Sequence, residues 1–252
     1  MSELDPHFDN DFKEYIRYTE NRVSVTNSGF KNDIKELYEL LYIFSSVIYV
    51  YENMDIKSNM WNFISETKND LIICFDLLNM NYQSSSKKIL RSSIESFFRF
   101  SLCLAKHIEY ENNKKDGVFH VTETLSKLKS MIDTHRVGKM TFFTQEYFSD
   151  MKIEQQYTNL ISTYSRLSGN VHVNSKEAFT PHRFLSSYST IDRDEIMNTI
   201  KIQKEVLIDM LLCLYFFDSL NKTNVFTKNF LLKLDIIGGE NIAKYLDNLT
   251  EF

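Results

Sequence analysis

The chain has 252 residues, 43% apolar and 25% charged, with a formal net charge of −5. This balance excludes an intrinsically disordered segment. It also excludes a protein drawn to nucleic acid or anionic membrane by its overall charge. Any site for a polyanion must then be a local patch on an acidic background.

With only 2 prolines and 6 glycines, long stretches are free to form helices. Apolar residues recur at steps of three and four through most of the chain, and strict alternation is rare. Ile34, Leu37, Leu41, Phe44 and Ile48 mark a first stripe. Trp61, Ile64, Leu71 and Phe75 mark a second, running to about Met80. Ser84, Ser85 or Ser86 is expected to cap a third helix, which carries Ile89, Leu90, Ile94, Phe97, Phe98 and Leu102. The polar run from Glu109 to Asp116, followed by Gly117, reads as a loop. A short helix is expected over Thr122 to Asp133, with Gly138 in the break after it.

Tyr157, Leu160, Ile161, Tyr164 and Leu167 form another stripe, ending at Gly169. Residues Val173 to Thr190 contain Pro181 and read as irregular. A long helix from Asp192 to about Ser219 follows; its second half is nearly all apolar and so belongs at the centre. Gly238 and Gly239 divide the last helical stretch. The pattern predicts about seven to nine helices and no strand. With no repeat, low-complexity tract or linker, the expectation is one all-α domain over residues 1–252. It is a helical bundle with its core at about 34–220 and additional N- and C-terminal helices.

The acidic start, M-S-E-L-D-P, lacks the basic-then-apolar form of a signal peptide. The most apolar runs, Leu40 to Tyr51 and Val206 to Phe217, fall short of the ~20 residues needed to span a bilayer. Asp209 also interrupts the second run. Cys74, Cys103 and Cys213 lie in apolar surroundings without metal-ligand spacing and read as buried thiols. These features predict a soluble cytoplasmic protein with no membrane association.

Most catalytic signatures are missing from the sequence. It has no phosphate-binding glycine loop, H-E-x-x-H, nucleophile elbow or calcium loop. No cofactor or metal is therefore expected. His7, His107, His120, His135 and His182 have no partner at a recognisable spacing and read as structural or solvated side chains.

The segment Tyr164 to Val173, Y-S-R-L-S-G-N-V-H-V, is different. Arg166 falls at a helix end, Ser168-Gly169-Asn170 supplies a break, and His172 follows. Arginine and histidine suit metal-free RNA cleavage, in which the 2′-hydroxyl attacks the neighbouring phosphate. An imidazole can move a proton near neutral pH. A guanidinium is permanently charged and fork-shaped, and it stabilises charge gathering on the phosphoryl oxygens. The plainer reading is that Arg166 caps its helix C-terminus and His172 is a hydrogen-bonded structural ring. On the upstream helix Arg91, Glu95 and Arg99 follow i, i+4 spacing and share a face, where Glu95 can simply pair with either arginine.

The R-L-S-G-N-V-H segment resembles the signature of the HEPN superfamily (higher eukaryotes and prokaryotes nucleotide-binding), an arginine four to six residues before a histidine. The helix L-R-S-S-I-E-S-F-F-R-F resembles the arginine- and acid-bearing helix of many members. The resemblance implies an all-α bundle whose catalytic residues are Arg166 and His172, supported by Arg91 and Glu95. Two protomers would face one cleft as a C2 homodimer. It further implies a metal-independent endoribonuclease acting on single-stranded RNA, as a toxin or abortive-infection (antiphage) effector with an antitoxin or neighbouring-gene partner. Leu167 departs from the asparagine or aspartate that many members carry after the arginine. A supporting polar contact is then either absent or supplied by Asn170. The alternative is a non-catalytic module on the same scaffold, binding a nucleotide, RNA or protein partner.

Overall fold

The computed structural model describes residues 10, 12–14, 16–17, 20–54, 58–169, 185, 187–239, 242 and 245–246. Eight α-helices are bounded within it: α1 (Lys31–Val47), α2 (Met60–Asn79), α3 (Gln83–Lys115), α4 (Glu123–Ile132), α5 (Val137–Phe148), α6 (Glu154–Gly169), α7 (Arg193–Asn221) and α8 (Lys228–Gly238). There is no strand among the described residues. The fold is an all-α helical bundle. No described helix is long and apolar enough to cross a membrane.

The apolar stripes become the buried faces. In α1, Ile34, Leu37, Leu41 and Phe44 are buried, and the helix tightens into a 3-10 turn over Ile48–Tyr51. Helices α2 and α3 pack along their lengths as a hairpin. Asn81 makes the turn between them with a left-handed φ of 67°, a conformation asparagine tolerates better than most residues. The Asn81 side chain then donates to the carbonyls of Tyr188 and Thr190, fixing the approach to α7.

Helix α7 starts at Asp192, whose carboxylate accepts from the Glu195 amide at 3.0 Å, a normal N-cap. Its second half is apolar nearly all round. It packs against α1, α3 and α6, as its composition predicts. Phe148 stacks on Tyr157 at 4.1 Å with an interplanar angle of 5°, and meets the edge of Phe217, so α5, α6 and α7 share one aromatic core. All three cysteines are buried free thiols.

Three sequence expectations need correction. The run Glu109 to Asp116 is mostly helix, because α3 continues to Lys115 and stops at Gly117, with φ 75°. None of residues 109–115 is buried. An already nucleated helix needs no apolar stripe to extend into solvent, and Glu109, Glu111, Lys114 and Lys115 are good helix formers. Lys114 and Lys115 also meet the negative end of the helix dipole.

Gly138 does not sit in a break. It lies in the first turn of α5, and the break falls at residues 133–136 instead. Ser84, Ser85 and Ser86 do not cap α3, which begins at Gln83 without a side-chain cap. Ser86 turns inward, donating to the Cys74 carbonyl at 2.9 Å and accepting from Gln203 at 2.6 Å. A buried hydroxyl between three helices has to be satisfied, and that demand outweighs the capping preference.

Candidate functional site

Helix α6 presents two faces. Tyr157, Leu160, Tyr164 and Leu167 are buried against the bundle, while Arg166 is exposed on the other side of the last turn. The departure at Leu167 has a packing explanation, since this side chain is only 1% exposed. Asparagine or aspartate at that position would be buried in an apolar core, at a cost unless it were hydrogen-bonded.

Arg91, from α3, holds this last turn. Its Nε donates to Ser168 Oγ at 2.8 Å, and its Nη2 donates to the Tyr164 hydroxyl at 2.6 Å. Its guanidinium carbon also lies 4.7 Å from the Tyr164 ring centroid. Tyr164 and Ser168 flank Arg166, so Arg91 positions the turn that carries it. Burial raises the pKa of the Tyr164 hydroxyl, with Arg91 opposing and Glu95 reinforcing the shift.

Glu95 points its charge elsewhere, pairing with Arg99 at 3.3 Å. Arg99 in turn donates to the Ile132 carbonyl at 2.6 Å, tying α3 to the end of α4. The structure therefore brings Arg91 to the Arg166 turn, and engages Glu95 with Arg99. Asn170 and His172, like His7 and His182, lie outside the described residues.

Arg91→Met should lower stability by about 1–3 kcal/mol, because a tyrosine hydroxyl and a serine hydroxyl lose a charged donor. Urea unfolding would measure the loss. Amide exchange in residues 164–169 should accelerate more than exchange in α7.

Arg166 also faces a cavity of about 410 Å³ between α6 and α7. Asn159, Ser162, Thr163 and Arg166 line one wall, Glu205, Ile208 and Asp209 line the other, and Gly238 at the end of α8 completes the lining. These positions follow helical spacing on both sides, so two faces of facing helices form the walls. Asp209 is 9% exposed and accepts from Asn159 Nδ2 at 3.3 Å through Oδ1. Burial pushes its carboxyl up to about 7; the Asn159 hydrogen bond opposes this shift and Glu205 adds to it.

Sequence reasoning noted Asp209 only as the residue interrupting an apolar run. That interruption was itself the available signal, since a carboxylate in an otherwise buried helix half needs a physical reason. Among the described residues, no group of three or more histidines, cysteines or carboxylates is placed to hold a metal ion.

No family model, curated protein or solved structure matches the chain.

Proposed function

We propose that the chain is a metal-independent endoribonuclease of HEPN type, acting on single-stranded RNA as a toxin or abortive-infection effector in the cytoplasm. One observation carries this reading. Arg166 stands exposed at the rim of a polar cavity, on a turn braced by Arg91, six positions before His172 in sequence. Arg166 stabilises the charge that gathers on phosphoryl oxygens as the 2′-hydroxyl attacks phosphorus. His172 transfers the proton that this attack, or departure of the 5′-oxygen, requires. The products are a 2′,3′-cyclic phosphate and a free 5′-hydroxyl.

A C2 homodimer would place two Arg166/His172 pairs at one cleft, as the family resemblance implies, and a contact of ~1,600 Å² in total would hold it. The test is incubation of the purified protein with single-stranded RNA in EDTA. Cleavage leaving cyclic phosphate ends supports the reading; intact RNA together with normal growth of an expressing bacterial host counts against it.

Glu205 and Asp209 beside Arg166 favour a second reading, a non-catalytic module that binds a nucleotide, RNA or protein through this cavity. Growth arrest on expression separates the two.

A further inference from the structure

The cavity between α6 and α7 holds groups of opposite character. Arg166 offers a cation and Ser162 a hydroxyl, while Glu205 and Asp209 offer carboxylates. A free phosphate would meet two carboxylates beside its one guanidinium. A simple cation would meet that guanidinium. The lining suits a ligand that is anionic at one end and rich in hydroxyl donors at the other.

Asp209 is the most constrained of these groups. It stands in a helix half of almost wholly apolar, buried residues, where leucine would pack without penalty. Asn159 engages Oδ1, and Oδ2 has no hydrogen bond with any described residue. An ionised carboxylate only accepts hydrogen bonds, so the partner it presents itself to must donate. Sugar hydroxyls do so. A cavity of about 410 Å³ also lies within the ordinary range for small-ligand sites.

We infer that this cavity is a ribonucleotide site in which Arg166 receives the phosphate and Asp209 accepts the hydrogen bond of the ribose 2′-hydroxyl. The preference for ribose over deoxyribose rests on the ribonuclease reading; the division of roles between Arg166 and Asp209 rests on the cavity. Glu205, one helical turn before Asp209, reinforces its acceptor character. Asn159 positions Asp209 by holding the other oxygen.

The experiment measures calorimetric binding of the four ribonucleoside 3′-monophosphates and their 2′-deoxy counterparts to the full chain at pH 8.5. These probes carry phosphate and sugar but no cleavable linkage. At least one ribonucleotide should bind about tenfold tighter than its deoxy form, the scale of one charge-assisted hydrogen bond. Asp209→Leu and the isosteric Asp209→Asn should both cut that ribo-over-deoxy preference to about twofold or less. Arg166→Ala should weaken both forms alike.

Equal binding of the ribo and deoxy forms, a preference that survives both Asp209 substitutions, or no binding at millimolar ligand would each overturn the inference. Asp209-dependent preference without RNA cleavage would keep the site and sink the ribonuclease. Cleavage dependent on Arg166 and His172 without the preference would do the reverse.

Discussion

Arg166→Ala is expected to lower RNA cleavage in EDTA by about a hundredfold or more, the scale seen when one preorganised donor to a developing oxyanion is lost. The fold should survive the change. The Arg166 side chain is exposed and makes no hydrogen bond or ion pair with the described residues, so no buried partner is orphaned. Circular dichroism and urea midpoint should therefore match the wild type while activity collapses. Arg166→Lys should recover only part of the rate, because an ammonium restores charge without the two-pronged geometry. His172→Ala should fall at least as far, with the alkaline limb of the pH–rate profile altered. Undiminished cleavage in either alanine variant would remove the mechanism.

The second large effect has the opposite sign. Asp209→Asn is expected to make the protein more stable at pH 8. In the unfolded chain an aspartate ionises near pH ~4. In the folded chain burial holds Asp209 up to about 7. Between those values the unfolded state has released a proton that the native state retains, so native stability falls as pH rises from about 4 to about 7. Above that window the loss is constant, roughly 4 kcal/mol for a shift of about three units.

Asparagine never ionises, and its oxygen can still accept from Asn159. The charged and titratable groups around Asp209 are Glu205 and Cys213 on α7, Arg166 on α6 and Tyr245 near the C-terminus. All of them remain in the variant. Urea unfolding at pH 8 should show the variant ahead by about 2–4 kcal/mol, converging with wild type near pH 4. Equal stability at pH 8 would mean that burial does not raise the Asp209 carboxyl above the ordinary aspartate range. A gain would show that the native sequence retains a destabilising carboxylate, as expected of a group kept for function.

Much of the bundle could be read from periodicity alone. The stripes of α1, α2, α6 and α7 are amphipathic or central, and for such helices the identity of the buried residues predicts the element. The tail of α3 was missed because its stability comes from the turns before it, which a local polarity reading cannot register. Gly138 suggested a break through its flexibility, yet a glycine in a first turn weakens few intrahelical bonds. Ser86 suggested a cap, but its hydroxyl is needed between Cys74 and Gln203, which lie 12 and 117 positions away in sequence.

The site divides in the same way. The position of Arg166 in the last turn of its helix was legible because the residue type and the helix end were visible together. Asp209 lies 43 positions from Arg166, on a different helix. Only tertiary packing brings the two to one cavity, and no local pattern encodes that.

The solvated end of α3 makes one helix into two materials. From Leu90 to Ala105 the helix is held by buried side chains on its core face. From Glu109 to Lys115, roughly 10 Å at the helical rise, the same helix has no buried side chain to restrain it. Unwinding this stretch would remove no side chain from the buried core. The long helix is thus a girder inside the bundle up to about Ile108 and a solvated spar beyond it. Arg91 sits on the girder, about six to seven turns from the end of the spar, so the brace on the Arg166 turn makes no use of the solvated end.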